Sequence, residues 1–286
     1  MPAIDVPPVN VSNAISDIFA DWSLPIWLTA SIVATAAIYV RGWFAIRRTR
    51  PAQFDDMRLA SFLAGLAVLW LSIGSPMDGF ADALLSAHMV EHLLLMSVVP
   101  PLLLYGLPAV PLMRGLPAPL SRFILAPLLR ISALRRFVHW LGRPLVAWLA
   151  MNISFLAWHV PGAYDFALEH EYWHDVEHLC FLFSSILFWW CVLRPWPAGV
   201  RPQNWGILLY LVSADVVNTL LSAFLAFCGR PVYSFYLQHP NPFQVSPLDD
   251  QVLGAVIMWV AGSTIFLVPA FLITLRLAGM GARRMA

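Results

Sequence analysis

Residues 174–193 read HDVEHLCFLFSSILFWWCVL, an H-x-x-E-H box followed by an apolar run without a charged residue. The whole stretch is as long as the ~20 residues that an α-helix needs to cross a bilayer. A second box, HMVEH at residues 88–92, also opens an apolar segment. The two boxes therefore predict two membrane-spanning helices that begin with the same polar group.

The composition of the whole chain supports a membrane protein. Of its 286 residues, 60% are hydrophobic and only 12% are charged, and the mean hydropathy is +0.72. Soluble domains carry about 25% charged residues. The expected partners therefore include membrane lipid and exclude nucleic acid. Three cysteines, Cys180, Cys191 and Cys228, lack CxxC or CxxxC spacing, which argues against a thiolate metal site.

Seven segments are apolar enough to cross a membrane. They are residues 23–40, 59–76, 86–107, 144–160, 173–193, 205–227 and 252–275. The sequence thus predicts an all-α, polytopic bundle of seven transmembrane helices over residues 23–275. An extracytoplasmic tail, 1–22, precedes the bundle and includes a possible interfacial helix at residues 11–19. A cytoplasmic tail, 276–286, follows it.

The arginines give the expected orientation. All 17 basic residues are arginine, and every one except Arg230 follows segment one, three, five or seven. Positive residues mark the cytoplasmic side, so we expect the N-terminus outside and the C-terminus in the cytoplasm of a bacterial inner membrane. The cytoplasmic loop 108–143 spaces arginines among leucines, which favours a helix lying on anionic lipid. A docking surface for a partner protein is the alternative.

The same topology places the histidines together. Every histidine except His139 falls at or near the expected outer face. Positions i, i+3 and i+4 share one helix face within about 100°. Two such faces follow from the boxes: His88, Glu91 and His92 on segment three, and His174, Glu177 and His178 on segment five. Both helices run inward, so the boxes lie at equal depth, and four imidazoles are expected to converge if the faces meet.

Converging imidazoles within a membrane suggest a metal site, because unpaired buried polar groups are costly and neutral imidazole is a common metal ligand. Met96, one turn deeper, adds a soft thioether that favours Cu(I). The predicted copper ligands are His88, His92, Met96, His174 and His178. Glu91 and Glu177 would accept N–H groups from these histidines or balance charge. Haem, zinc and a structural or pH-sensing role remain alternatives.

Other polar residues are further candidates. His159 closes segment four at the outer end, and Asp250 or Gln251, near the start of segment seven, could face the histidines. Asp215 and Asn218 lie mid-membrane on one face of segment six, as a functional site or as an inter-helix hydrogen bond to Ser213, Thr219 or a tyrosine.

Two prolines follow the first box. Pro100 and Pro101 lack backbone N–H groups and free the carbonyls of Met96 and Ser97. A kink is therefore predicted directly below the box.

Three stretches resemble a known family. They read HMVEHLLLMSVVPPLLLYGLP, WHVPGAYDFALEHEYWHDVEHLCFLFSSILFWW and SPLDDQVLGAVIMWVAG. Together they are similar to the membrane-integral CtaG family, assembly factors of caa3-type cytochrome c oxidases, over residues 60–275. The shared features are the paired boxes, the W-H-x-P at Trp158–Pro161 and the D-Q at Asp250 and Gln251.

The resemblance implies a role in cytochrome c oxidase assembly, by holding or supplying copper. Its implied partners are oxidase subunits or a periplasmic copper chaperone. The rival enzymatic reading takes H-x-x-E-H as the zinc box of an inverted zincin, with glutamate as general base and Asp250 or Asp215 completing the site. A second box would crowd the open coordination position that such an enzyme needs, so a non-enzymatic role is expected.

Overall fold

The computed structural model describes residues 11–193, 195, 205–239 and 241–285, and for residues 279–285 it describes the backbone alone. It is 83% helical, and the described residues contain no strand, which confirms the predicted all-α class. Residues 1–10 of the predicted outer tail lie outside the described residues, as do Arg194 and Arg201.

The helices are, in chain order, α1 (Val11–Asp21), α2 (Ile26–Arg47), α3 (Asp56–Ile73), α4 (Met77–Ala83), α5 (Leu85–Leu93), a π-helical turn (Leu94–Val98), α6 (Val99–Tyr105), α7 (Ala109–Gly115), α8 (Ala118–Leu120), a second π-helical turn (Ser121–Leu125), α9 (Ala126–Arg130), α10 (Ser132–Leu141), α11 (Pro144–Trp158), α12 (Pro161–Leu168), α13 (Glu171–Leu193), α14 (Trp205–Phe227), α15 (Phe235–Gln238) and α16 (Pro247–Met285).

The described chain contains six helices long and apolar enough to cross a membrane, or seven if one bent pair is a single span, which agrees with the seven predicted segments. Six are continuous: Ile26–Arg47, Asp56–Ile73, Leu85–Tyr105, Glu171–Leu193, Trp205–Phe227 and Pro247–Ala278. The seventh is the pair α11 and α12, which is bent by 76°. The protein is a multi-pass membrane protein, whereas the direction in which it crosses the membrane stays a prediction.

The bend in the fourth segment follows from W-H-V-P. Pro161 disfavours helical geometry at the preceding residue, and Val160 is extended, with φ −66° and ψ 126°. Helix α11 therefore ends at Trp158, and α12 starts in a new direction at Pro161. The break leaves His159 at the corner between the two helices.

The site is built where α5, α11, α13 and α16 meet. Helix α16 packs against α5 and α14, while α13 packs against α11, α6 and the first π-helical turn. A large buried apolar cluster joins these helices, and a smaller one joins α2 to α3. Segments three and five are therefore neighbours, as the convergence of the two boxes requires.

Below the first box, where a kink is predicted, the structure has the π-helical turn Leu94–Val98. At its end, the N–H of Val99 donates to the carbonyl of Leu94. The Met96 carbonyl, which Pro100 cannot serve, accepts a hydrogen bond from Trp189 Nε1 at 3.1 Å. Helix α13 thus satisfies a backbone group that the proline frees.

The predicted loop 108–143 has two parts. Its first helix, α7, packs closely on α2, because Gly42 and Gly115 leave no side chain between the two backbones. By contrast, α8, α9 and α10 contain no buried residue, and Phe123 is 72% exposed. Only this second part has the exposed apolar face expected of an interfacial helix.

Candidate metal centre

The two boxes come together at the starts of α5 and α13. The ring centroids of His88 and His92 lie 4.1 Å apart, and those of His174 and His178 lie 4.3 Å apart. Between the helices, His88 is 5.2 Å from His174 and His92 is 5.7 Å from His178. The structure therefore gathers all four imidazoles into one group, called here the histidine cluster.

Two overlapping sets of side chains in this cluster have the spacing of metal ligands. One ligand atom from each of His88, His92 and His178 lies within 4.8 Å of the others, and the same holds for His88, His174 and Glu177. Imidazole nitrogens bound to one ion at about 2.0–2.1 Å lie roughly 3.3 Å apart in a tetrahedron. Small side-chain movements would therefore close either set around an ion.

Several buried polar atoms of the cluster have no hydrogen bond. Among the described residues, neither ring nitrogen of His88 or His92 and neither carboxylate oxygen of Glu91 or Glu177 has a hydrogen bond. All four side chains are at most 3% exposed. Buried polar groups without partners are rare and costly in folded proteins, so this group fits residues that hold a cation.

The glutamates pair across the two helices. His92 Nε2 lies 3.6 Å from Glu177 Oε1, and His178 Nε2 lies 3.5 Å from Glu91 Oε1. Each box therefore supplies the carboxylate that faces the second histidine of the other box. Such a carboxylate can orient a ligand histidine and raise its basicity, as outer-shell carboxylates do in metal sites.

His159 lies at the edge of the cluster. It is buried, and its ring is 6.1 Å from that of His92. Its Nδ1 lies 2.7 Å from the carbonyl of Phe155. Because a carbonyl only accepts, Nδ1 carries the proton, and the lone pair of a neutral ring is on Nε2. Nε2 has no partner among the described residues, so it is free to act as a ligand.

Three tyrosines, which the sequence did not single out, cover the cluster. Tyr164 is 5.3 Å from His88 between ring centroids and 4.0 Å from Tyr233, with the two tyrosine rings tilted by 31°. Its hydroxyl lies 3.3 Å from that of Tyr236, which donates to the carbonyl of Ala81. The sequence could have indicated them only by their position, because all three fall in segments that connect helices at the end of the bundle where the two boxes lie.

Asp250 holds the start of the helix that carries the first box. Its carboxylate accepts the backbone N–H groups of Leu85 at 2.6 Å and Ser86 at 3.2 Å. These donors are unsatisfied at a helix N-terminus, so Asp250 fixes the start of α5 three residues before His88. Each of its oxygens accepts one of these bonds, and a direct role of Asp250 beside the histidines stays a prediction.

Gln251 is likewise engaged by backbone. Its side chain accepts the N–H of Val232 at 2.7 Å and donates to the carbonyl of Leu225 at 3.0 Å. The D-Q pair therefore joins α16 to α5 on one side and to the end of α14 on the other.

Asp215 and Asn218, the polar pair within segment six, differ in their hydrogen bonding. Asn218 Nδ2 donates to the carbonyl of Met258 at 3.2 Å, which links α14 to α16. This is an inter-helix bond, although its partner is a backbone group rather than the side chains expected. Asp215 is 9% exposed, and its Oδ1 has no hydrogen-bond partner among the described residues.

Four carboxylates lie near the histidine cluster, two on the short helix α4 and two in the first turns of α13. Burial of Asp78, together with repulsion from Asp82, Asp175 and Glu171, raises the pKa of Asp78 to about 7. A group of like charges this close creates a negative potential that favours cations.

The profile of the family described as cytochrome c oxidase caa3 assembly factor, CtaG, matches residues 37–279. An uncharacterized protein of Mycobacterium bovis and another of Mycobacterium tuberculosis are each 26% identical over 268 residues, which is 85% of this chain and 39% of theirs. One of Mycobacterium leprae is 25% identical over 94% of this chain and 43% of its own.

This chain thus spans about two fifths of the length of these relatives. No solved structure matches it. Because the family profile covers most of the chain, and the paired boxes lie within the matched range, the chain belongs to the CtaG family of cytochrome c oxidase caa3 assembly factors.

Proposed function

We propose that this protein binds copper, as Cu(I), in the histidine cluster and supplies it to cytochrome c oxidase during assembly. The observation that carries the proposal is the convergence of four imidazoles in which every Nε2, and also Nδ1 of His88 and His92, has no hydrogen-bond partner among the described residues. A bound cation would satisfy one nitrogen of each neutral ring, and the other ring nitrogen, which carries the proton, can donate to a carboxylate such as Glu91 or Glu177.

The donor set suits a monovalent copper ion. Cu(I) accepts imidazole and thioether ligands, and two carboxylates opposite the histidines can balance its charge. The acidic residues around Asp78 would raise the local concentration of cations beside the cluster. Under the predicted topology, copper enters from the outer side, and its donor is a periplasmic copper chaperone.

The proposed role is not enzymatic. Glu91 and Glu177 would be the general bases of a zinc protease, yet each faces a histidine of the opposite box. Each glutamate is therefore placed to orient a ligand rather than to activate water.

Metal analysis of the purified protein tests the proposal. After loading with Cu(I), we expect copper to remain bound through gel filtration and the protein to be colourless, because a filled d-shell gives no visible bands. A Soret absorption band would instead show haem, and zinc in place of copper would revive the protease. Either result would overturn the copper assignment.

Cells that lack the protein test the physiological part. We expect little active copper-haem oxidase, while other respiratory complexes keep normal activity, because only the oxidase needs this copper. Added copper should restore part of the activity if supply is the missing step. Normal oxidase activity in the deletion strain at limiting copper would contradict the proposal.

A further inference from the structure

A small cavity lies next to the histidine cluster, one helical turn further along the chain from the first box. Its volume is about 40 Å³, more than the roughly 10–15 Å³ that one water molecule requires. Four of the chain's 10 methionines line it. They are Met89, Met96, Met151 and Met258, and they come from α5, the first π-helical turn, α11 and α16.

Methionine is common in cores because it fills irregular gaps. The other residues that line this cavity, however, differ from those expected around a simple packing defect. His92 and His159 also line the cavity. Both rings are buried, and His92 Nδ1, His92 Nε2 and His159 Nε2 have no hydrogen bond among the described residues. A purely apolar gap would not leave imidazole nitrogens unsatisfied at its surface, since each unsatisfied buried nitrogen destabilises the fold.

We propose that this cavity is a second Cu(I) site, in which thioethers of Met96, Met151 and Met258 and an imidazole of His92 or His159 hold the ion. The inference rests on the proposed function, because the histidine cluster would supply the copper. His92 belongs to both places: it is in a ligand set of the cluster and in the cavity wall.

Movement between the sites is a ligand exchange. Copper–nitrogen bonds to the cluster break as copper–sulfur bonds to methionine form, while His92 remains in contact with the ion. The copper stays Cu(I), and because imidazole and thioether are neutral ligands, no electron or proton is gained or lost. Thioethers prefer Cu(I) over harder divalent ions, so the cavity would add to the selectivity of the cluster for Cu(I).

The cavity should hold copper less tightly than the cluster. No carboxylate lines it, so a bound ion keeps its positive charge in an apolar environment, which is unfavourable. Weak binding by neutral sulfur ligands is the property expected of a site from which copper is passed on.

The triple variant Met96→Leu, Met151→Leu and Met258→Leu tests the site, because methionine-to-leucine exchange preserves volume. Its control exchanges Met57 and Met113 for leucine; these residues are 68% and 37% exposed and lie away from the cavity. Each protein is purified in detergent with selenomethionine in place of methionine, titrated with Cu(I) and examined by X-ray absorption at the copper edge.

We expect the parent protein and the control to bind one more equivalent of Cu(I) than the triple variant and to show copper–selenium scattering that the triple variant loses. Nitrogen-bound copper should persist in all three. Unchanged selenium scattering and stoichiometry in the triple variant would overturn the second site and leave the proposed function intact. Failure of the parent protein to bind any copper would overturn both.

Discussion

His88 is the residue on which both candidate ligand sets depend. It is grouped with His92 and His178, and separately with His174 and Glu177. Its ring is fully buried and lies under Tyr164, so it has little freedom to turn away. If one ion moves between the two sets, His88 can stay bound throughout.

The shared position of His88 predicts a hierarchy among the histidine variants. His88→Ala should weaken Cu(I) binding more than His174→Ala, with a loss of at least about tenfold in affinity, because it removes a ligand from both sets. His88→Ala combined with His174→Ala should reproduce the deletion phenotype while the protein remains in the membrane. Competition with a Cu(I) chelator measures the affinities.

The exposed histidines His170 and His239 provide matched controls, since their rings lie against the carbonyls of Phe166 and Phe235 rather than the cluster. Only the backbone carbonyl of His170 bonds to the N–H of His174, and alanine keeps that carbonyl. Their alanine variants should bind copper as the parent protein does. A double cluster variant that supports full oxidase activity at limiting copper would refute copper delivery and favour a structural role for the cluster.

Asp78, which lies outside the membrane-spanning helices, should make the stability of the protein depend on pH. Its pKa is raised from 3.8 to about 7, first by burial and then by neighbouring carboxylates. The folded state therefore binds this proton more tightly than the unfolded state, and the stability that it contributes falls as the pH rises from about 4 to about 7. Asp78→Asn should raise the melting temperature above pH 7 and change it little near pH 4.

Thermal melts in detergent at several pH values check this effect. The exposed Asp17→Asn is the control and should show no such dependence. A stabilisation by Asp78→Asn that is equal at pH 4 and pH 8 would show that the charge of Asp78 is not its cause.

At the scale of single helices, Asp250 shows how a residue distant in sequence can set the geometry of the site. Replacing it with alanine leaves the N–H groups of Leu85 and Ser86 without their acceptor. The loss of a helix N-cap costs about 0.5–2 kcal/mol, so Asp250→Ala should lower the melting temperature. Because His88 is on the first turn of α5, copper affinity should fall as well.

The neighbouring Asp249→Ala is the control for this variant. Asp249 is exposed in the first turn of α16 and makes no bond to α5. If both variants melt at the same temperature and bind copper equally, Asp250 does not position α5.

The helices themselves were predictable from the sequence, but their interruptions were less so. Long apolar runs gave the seven spans, and the i, i+3, i+4 spacing gave the shared face of each box. The corner at Val160 and the π-helical turn depend on prolines whose effects vary with their surroundings. The Met96 carbonyl, for example, is satisfied by Trp189 on another helix, which sequence spacing does not reveal.

The candidate site, too, was predictable from the sequence only in part. The four histidines could be found because two identical boxes repeat in one chain. Met96 could be found as well, because it continues the face of the first box, whereas Met151 and Met258 lie on α11 and α16 and have no motif around them. Their side chains come next to His92 because α16 packs against α5 and α11 packs against α13.

At the scale of the whole molecule, the site and the arginines mark opposite ends of the helices. The boxes are at the starts of the third and fifth spans, whereas Arg47, Arg114 and Arg276 follow the first, third and seventh. Since consecutive spans alternate in direction, one orientation of the bundle decides which compartment supplies the copper. Copper from the outer side requires the arginines to be cytoplasmic.

Reporter fusions test this orientation directly. Fusions after Arg50, Pro119 and Ala286 should give a fluorescent cytoplasmic reporter and no alkaline phosphatase activity, because positive loops remain inside. A fusion after Asn241, between α15 and α16, should give active phosphatase, since that loop connects the sixth and seventh spans on the histidine side. Phosphatase activity at Ala286 would show that the bundle has the opposite orientation or a different number of spans. The histidine cluster would then face the cytoplasm, and a periplasmic copper donor would no longer fit.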